Sequence, residues 1–249
     1  MSQGGHALCM PILRAPVELT GSVLEKAWRE VWPKSPRPGN IDAKENAITC
    51  RVGGAQVAAA VMPIPIPNDE LAGPAATSLL WPNAEQDLAG YGAHVVLFVS
   101  GGESNVAAFQ IMTRVSAAVV HATKAIGVYV GGAGMLVKAD VFMQLAMEPD
   151  LQVALWIDYR CFHSQADQTG LYTVGMAQFD LPEIEVPASQ RECGELRIWT
   201  MNFASWLIES GTTVKSGETV GLSETERIRV DYAESVVGRD GQVMQLTGL

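Results

Sequence analysis

The stretch that decides the fold reads Gly170-Leu-Tyr-Thr-Val-Gly-Met-Ala-Gln-Phe-Asp-Leu-Pro-Glu-Ile-Glu-Val-Pro-Ala-Ser189. Two runs of apolar and β-branched residues, which favour strands, flank a turn at Gln178–Asp180. The stretch therefore predicts a strand pair in the middle of a sheet. Glu183 and Glu185 stand two positions apart in the second run, so both carboxylates point to the same face of an extended chain.

The face that carries these carboxylates has two interpretations. Ile184 and Val186 indicate that the opposite face belongs to the core, which leaves Glu183 and Glu185 on a solvated or partner-facing edge. The alternative is a general acid and base, a role that needs partial burial. His94 opens a strand-like run and is a candidate for acid-base chemistry with either glutamate, because imidazole and carboxylate pairs transfer protons near neutral pH.

The order of the segments predicts the fold class. Strand and helix patterns alternate in the first half, and the second half reads as an antiparallel sheet with one helix. We predict an α+β fold over residues 1–249: one layered domain with a mixed, largely antiparallel sheet flanked by helices in an α/β/α-like arrangement. Pro65–Trp81 and Pro182–Trp199 share a pattern of proline, acids and a helix with tryptophan, which raises the alternative of two pseudo-repeated halves, 1–150 and 151–249.

Capping patterns predict where helices begin and end. Ser22-Val-Leu-Glu25 and Ser189-Gln-Arg-Glu192 match the capping box and predict two helix starts, and Gly211 predicts the end of the second helix. Ser104 follows a strand and opens a helix-like segment. We interpret it as an N-cap and not as a hydrolase nucleophile, because Val106 stands where the nucleophile motif requires glycine.

A hairpin is expected early in the chain. Gly53-Gly54 separates two short strand-like runs, Asn46–Val52 and Gln56–Met62. Paired glycines adopt the positive φ angles that tight hairpin turns require, so the two runs should pair with each other.

Acidic side chains outnumber basic ones, 27 to 17, and the net charge is −10. This charge disfavours nucleic acid and anionic membranes as direct partners and favours a cationic one. Between Val52 and Thr113 the chain contains no Lys or Arg. The alternative is a buried half that simply carries few charges. The predicted partner-binding residues are the acids of this stretch and the strand pair, namely Asp69, Glu70, Glu85, Asp87, Glu103, Glu183 and Glu185.

Metal and cofactor patterns are absent from the sequence. The four histidines show neither H-x-H nor H-E-x-x-H spacing. Gly131-Gly-Ala-Gly134 follows a strand but lacks the remaining residues of a phosphate-binding loop, so we interpret it as a turn. We therefore predict no catalytic residues, no metal and no cofactor.

The cysteines are widely separated, at Cys9, Cys50, Cys161 and Cys193. The first three lie in apolar strand-like runs, where a reduced cysteine behaves as a small hydrophobic residue. A reducing cytoplasm is the expected location. Arg14 and Pro16 interrupt the first apolar run, which argues against a signal peptide, so we predict a soluble cytoplasmic protein.

Six short segments carry a resemblance to a known family. They are Met62-Pro-Ile-Pro-Ile-Pro67 with Glu70 and Trp81, Ala93-His-Val-Val96, Leu155-Trp-Ile-Asp158, Tyr172-Thr-Val-Gly175 with Phe179, Pro182-Glu-Ile-Glu-Val186 and Ser216-Gly-Glu-Thr-Val-Gly221. In this order they resemble the bacterial family designated domain of unknown function 4261, over nearly the whole chain. The family has no established catalytic residues, so the resemblance implies no active site.

The resemblance also implies a biological setting. Proteins of this kind are similar to immunity proteins encoded beside antibacterial toxins of type VI secretion, and such toxins are often nucleases. We expect a non-enzymatic cytoplasmic immunity protein that binds a cognate basic nuclease, because a surface that holds phosphate is cationic and attracts an acidic inhibitor. A second copy of the chain, in a homodimer, is an alternative partner. The alternative function is an enzyme that acts on a small molecule through His94 with Glu183 and Glu185.

Overall fold

A computed structural model of the protein describes residues 5–44, 47–165 and 167–249. The chain divides into two compact units, Met1–Trp156 and Ile157–Leu249, hereafter unit 1 and unit 2. The structure contains a sheet of seven strands and a sheet of six strands together with helices, which confirms the predicted α+β class. The single domain and the pseudo-repeated halves stay predictions.

The sheet of unit 1 is antiparallel between all paired neighbours, in the order β2-β3-β4-β5-β1-β6-β7. Gly53 and Gly54, with φ of +55° and +86°, form the turn between β3 and β4, which confirms the predicted hairpin. Asn46, assigned to the first run of that hairpin, lies outside the described residues. The strands are β1 (Gly5–Leu13), β2 (Gly39–Lys44), β3 (Ala47–Val52), β4 (Ala55–Met62), β5 (Ala93–Gly102), β6 (Gly127–Val130) and β7 (Met135–Lys138).

The helices of unit 1 begin at hydroxyl caps in two places. Ser104 Oγ accepts the N–H of Ala107 at 3.1 Å, which confirms the predicted N-cap. The first helix is capped by Thr20, whose Oγ1 accepts the N–H of Val23 at 3.2 Å, so the predicted capping box starting at Ser22 is wrong. The helices are α1 (Gly21–Val31), α2 (Ala72–Thr77), α3 (Ala84–Asp87), α4 (Asn105–Thr123) and α5 (Ala139–Ala146).

Helix α4 packs on strands β1 and β5 and forms one side of the core of unit 1. Cys9 Sγ lies 2.9 Å from Ser116 Oγ, and Trp156 Nε1 donates to Thr113 Oγ1 at 2.9 Å, so the polar groups of this core are paired. Among the described residues α4 is the one helix whose length and composition would allow a membrane span. Most of it is buried inside the protein, as in the core helix of a folded unit.

The other face of this sheet carries a second apolar cluster at one end. Side chains alternate along β1, so Ile12 points away from the face that holds Cys9. Ile12 meets Tyr129, Leu136 and Trp81 in this cluster. The segment between β4 and β5, which contains α2 and α3, covers the cluster and contributes its remaining buried side chains.

Unit 2 contains a mixed sheet in the order β11-β12-β13-β10-β9-β8. Strand β10 pairs parallel with β13 and antiparallel with β9, so the predicted strand pair is β9 and β10 and lies inside the sheet, as expected. The elements of unit 2 are β8 (Asp158–His163), β9 (Thr169–Val174), β10 (Ile184–Ser189), α6 (Cys193–Ser210), β11 (Thr219–Val220), β12 (Ile228–Glu234) and β13 (Gln242–Thr247).

The two ends of α6 are formed differently from each other. Gly211 has a φ of +62° and its N–H donates to Leu207 O at 3.0 Å, which confirms the predicted helix end. At the start, Glu192 is the N-cap and makes no capping bond with its side chain. Ser189 Oγ instead donates to Leu249 O at 2.8 Å and accepts the N–H of Arg191, so the predicted capping box is wrong.

Cys161 on β8 and Cys193 at the start of α6 form a disulfide, with 6.0 Å between their Cα atoms. The prediction that Cys161 is reduced is therefore wrong. The two residues are 32 positions apart, and the packing of the helix against the sheet brings them together. Cys9 and Cys50 are free thiols, and burial raises the pKa of Cys9 to about 12 and that of Cys50 to about 11.

Candidate partner-binding site

An open groove of about 350 Å³ lies in unit 1 beside the segment that joins β4 to β5. Two predicted acids, Asp69 and Glu85, line this groove, and both are exposed. The floor of the groove consists of buried apolar side chains contributed by the second core cluster, namely Ile66, Leu71, Ala75 and Leu88. The groove therefore combines an apolar floor with two carboxylates.

Proline chemistry explains why the chain leaves the sheet here. The three prolines of Met62–Pro67 lack the N–H that a strand ladder needs, so β4 ends at Met62. Residues 63–67, hereafter the crossing segment, then run across the cluster. Asn68 and Asp69 then adopt left-handed conformations with φ of +61° and +52°, which Asn and Asp tolerate better than most residues. This turn directs the chain into α2 and places Asp69 in the lining of the groove.

Tyr91 lies in the lining of the groove, and the charges of Asp69 and Glu70 act on its hydroxyl. Its hydroxyl accepts the N–H of Ile66 at 2.9 Å. This bond ties the crossing segment to Tyr91, which lies between α3 and β5. Burial is the largest cause that raises the pKa of Tyr91, and the negative charges of Asp69 and Glu70 raise it further. The two carboxylates that line the groove, Asp69 and Glu85, make it better suited to a cation than to an anion.

The other acids of the base-free stretch do not line the groove. Tyr129 donates its hydroxyl to Glu70 Oε1 at 3.0 Å, and Trp81 Nε1 donates to Asp87 Oδ2 at 2.7 Å. These bonds satisfy polar groups of the second core cluster, so Glu70 and Asp87 have structural contacts. Glu103 is exposed after β5 and does not line the groove.

Glu183 holds the turn between β9 and β10. Its carboxylate accepts the Thr173 hydroxyl at 2.7 Å and the N–H groups of Gly175 and Ala177 at 2.9 and 3.4 Å. Three donors therefore converge on one half-buried side chain, which ties the turn to the strands on both sides.

Glu185 is completely buried, with 0% of its surface exposed. The prediction that it lies on an exposed face is wrong. It does lie on the same side of the sheet as Tyr172, as the alternation requires, but the loop after β12 covers it. Ser235 Oγ and the N–H of Val236 both donate to its carboxylate, the second at 2.8 Å. From the same loop, Arg239 donates to Thr173 O at 2.8 Å.

His94 is 4% exposed in unit 1, and its Nδ1–H donates to Ile64 O at 2.9 Å. This bond fixes the crossing segment at the end of β4. Glu183 and Glu185 belong to unit 2 and bond to groups of that unit. Each of the three side chains thus has a structural contact within its own unit.

The distribution of charge between the units is a feature that sequence reasoning missed. Unit 2 carries 14 acidic and seven basic side chains, a net charge of −7, whereas unit 1 carries 13 and ten, a net charge of −3. Counting charges on either side of the unit boundary would have found it. The exposed acids of unit 2 are Asp167, Asp180, Glu192, Glu195, Glu209, Glu218, Glu224, Glu234 and Asp240.

Some of the basic side chains of unit 2 pair with the unit's own acids. Three of the seven form ion pairs at 2.6 to 2.7 Å. Each pair neutralises one acid and one base, so unit 2 keeps its net charge of −7. The pairs are Arg160 with Asp158, Arg191 with Glu226 and Arg229 with Asp231. In the part of the chain that the structure describes, no group of three or more His, Cys, Asp or Glu could hold a metal ion.

The fold and these contacts describe two α+β units with acidic surfaces. Among known families, the one described as Domain of unknown function (DUF4261) matches residues 172–247. The match supports the resemblance to this family from β9 to β13, inside unit 2, and includes three of the six segments that carry it. The match does not extend into unit 1. Neither the curated proteins nor the solved structures gave a significant match.

Proposed function

We propose that the protein is a non-enzymatic immunity protein that binds and neutralises a cationic protein toxin, such as a nuclease of type VI secretion. The groove of unit 1 carries this proposal, because it places Asp69 and Glu85 beside an apolar floor. Lys and Arg have the matching shape, an aliphatic stem that ends in a charged head. A basic side chain of the toxin would pack its stem on Ile66 and Leu71 and bring its head to the carboxylates.

The net charge of the protein also favours a cationic partner, because it acts over distances longer than those of the contacts in the groove. A net charge of −10 attracts a basic protein before contact and raises the association rate. A nuclease needs a basic surface to hold phosphate, and an acidic inhibitor can cover that surface in place of the nucleic acid. The exposed carboxylates of unit 2 add to the same attraction.

The contacts of His94 and Glu185 favour binding over chemistry. Both side chains are buried and already bond to groups of the fold. A general acid or base must reach the reacting atom of a substrate, which these positions do not favour. The cytoplasm remains the proposed location because a nuclease toxin acts on nucleic acid there. Reduced cysteines no longer support it, since Cys161 pairs with Cys193.

The test is binding between the purified protein and the purified product of the neighbouring gene. We expect a complex with a Kd below about 1 μM, measured by calorimetry, and loss of nuclease activity in the complex. The double variant Asp69→Asn/Glu85→Gln should weaken binding at least about tenfold, because it removes both groove charges. The matched control, Glu18→Gln/Glu148→Gln, removes two exposed charges outside the groove lining and should weaken binding only about twofold.

Absence of a complex at micromolar concentrations would rule out the neighbouring product as the target. Equal effects of the groove variant and the control would locate the interface elsewhere and remove the groove as the basis of the proposal. Both variants should keep the free energy of unfolding of the wild type, because the substituted side chains are exposed.

A further inference from the structure

We propose that the outward face of α6 is a docking surface for a basic, partly apolar segment of another protein. This surface lies in unit 2 and does not rest on the function proposed from the groove of unit 1. The argument uses the exposure of its side chains, the packing beneath them and the charges at its two ends.

Two large apolar side chains stand on the outward face of α6. Ile198 is 58% exposed and Trp206 is 42% exposed. With Asn202 between them they follow an i, i+4, i+8 spacing, which aligns all three along one side of the helix over about 12 Å. The outward side of a helix in a globular protein is ordinarily polar. A stripe with an apolar residue at each end therefore indicates a contact surface.

The packing beneath the stripe holds Trp206 in place. Its ring stacks on Phe203, with 5.9 Å between centroids and 22° between planes. Phe203 in turn packs against Trp199 at 5.4 Å, and Trp199 Nε1 donates to Glu226 at 2.9 Å. A fixed aromatic ring loses little conformational entropy on binding, which is a property of residues that dominate binding energy.

The charges around the stripe indicate the chemistry of the partner. Glu195 and Glu209 are exposed at its two ends, and Glu209 lies one turn beyond Trp206 on the same side. No exposed residue of α6 is basic, and Arg197 turns inward to donate to Tyr159 O at 2.9 Å. A Lys or Arg placed over the Trp206 ring would be attracted both by the ring and by the Glu209 carboxylate.

The same charges disfavour a second copy of this chain as the occupant. Two α6 helices packed antiparallel would bring Glu195 against Glu209 of the other copy. Parallel packing would bring each glutamate against its own equivalent. Either arrangement sets like charges against each other in a desolvated contact, which costs affinity. A cationic segment from a different protein avoids this repulsion.

A labelled amphipathic helical peptide made of Leu, Lys and Arg is the probe for this surface, and fluorescence anisotropy is the measurement. We expect micromolar binding to the wild-type protein and at least about tenfold weaker binding when Glu replaces every basic residue of the peptide. Trp206→Ala should weaken binding of the basic peptide at least about tenfold. Glu209→Gln should weaken it about threefold and reduce its dependence on salt concentration.

Two matched controls come from unit 2 itself. Leu222→Ala removes an exposed apolar side chain and Glu224→Gln an exposed carboxylate, both outside α6. Neither should change peptide affinity by more than about twofold. Because Trp206 packs on Phe203, its replacement can alter stability as well. Ile198→Ala, at the more exposed of the two apolar positions, then provides the second test and should weaken binding about threefold.

Three results would overturn the proposal. The first is equal binding of the acidic and basic peptides. The second is a set of α6 variants that bind like the Leu222→Ala and Glu224→Gln controls. The third is a dimer in sedimentation that Trp206→Ala dissociates, because the stripe would then bind a second copy of the chain. Failure of the toxin complex in the preceding section would leave this peptide experiment unaffected.

Discussion

Unit 1 and unit 2 follow a similar order of elements but close their sheets differently. Each has three consecutive antiparallel strands, then a helix, then a further pair of strands in the same sheet. In unit 1 these elements are β3-β4-β5, α4 and β6-β7. In unit 2 they are β8-β9-β10, α6 and β12-β13. In unit 1, β1 lies between β5 and β6, so all paired neighbours are antiparallel. In unit 2, β13 pairs directly with β10 and runs parallel to it.

The two units are also stabilised by different contacts. Unit 1 is larger, and its long helix α4 buries 12 residues. Helix α6 buries seven residues, and unit 2 adds the Cys161–Cys193 disulfide and a fully buried carboxylate, Glu185. A smaller unit buries a smaller fraction of its surface and gains more from cross-links and polar contacts. We therefore expect substitutions that disturb core packing to lower the stability of unit 1 most. The stability of unit 2 should fall most when the disulfide or the contacts of Glu185 are removed.

Removal of the disulfide is one of the two changes with the largest expected effect. Cys161→Ser/Cys193→Ser opens a loop closed across a separation of 32 residues and should lower the free energy of unfolding of unit 2 by about 3 kcal/mol, because the unfolded chain regains entropy. Urea unfolding measures the loss, and hydrogen exchange should place it in β8 and α6 with α4 unaffected. Reduction of the wild-type protein is the control and should reproduce it. Unchanged exchange in β8 would contradict the assigned role.

A glycine pair tests the packing of both units. Gly127→Ala places a Cβ against the buried Trp81 ring and 2.7 Å from Val137 O, so neither neighbour can withdraw, and we expect a loss of about 3 kcal/mol. In unit 2 the nearest atoms to a Cβ at Gly170→Ala belong to the Phe162 ring, which is half-buried and can rotate away. The expected cost of this substitution is about 1 kcal/mol. Thermal unfolding of the two variants measures the difference, and equal losses would remove the contrast between the units.

The buried carboxylate of unit 2 should have a smaller effect than the disulfide. Glu185→Gln turns one acceptor into a donor facing the Ser235 hydroxyl or the Val236 N–H, and we expect a loss of about 2 kcal/mol. Glu234→Gln, an exposed change at the end of β12, is the control and should stay within about 0.5 kcal/mol. Faster hydrogen exchange at Val236 in the first variant checks the cause. A Glu185→Gln variant as stable as the control would show that the loop is held by other contacts.

Sequence patterns predicted the local features well where neighbouring residues decide them. The strand pair β9–β10, the Gly53-Gly54 turn, the Ser104 cap and the Gly211 helix end depend on residues a few positions apart. The two capping boxes are wrong because Thr20 precedes Ser22 by two residues and competes for the same helix start, and because Ser189 bonds to the last residue of the chain.

The groove illustrates what patterns along the chain cannot supply. Asp69 and Glu85 were identified as acids of a base-free stretch, together with Glu70, Asp87 and Glu103. Which of them share a groove depends on how the crossing segment and α3 fold over the second core cluster. Glu70 and Asp87 lie outside the groove lining and bond instead to Tyr129 and Trp81.

The sequence by itself determined the α+β class, the strand pair at its centre and the acidic character, because periodicity, turn residues and charge are properties of the chain. Tertiary structure decided the rest. It buried Glu185 beneath the loop after β12, joined Cys161 to Cys193, brought Asp69 and Glu85 to one groove and left Ile198 and Trp206 exposed on α6. These outcomes depend on contacts between residues distant in sequence, and the free energy of such contacts is set by what packs above each strand or helix.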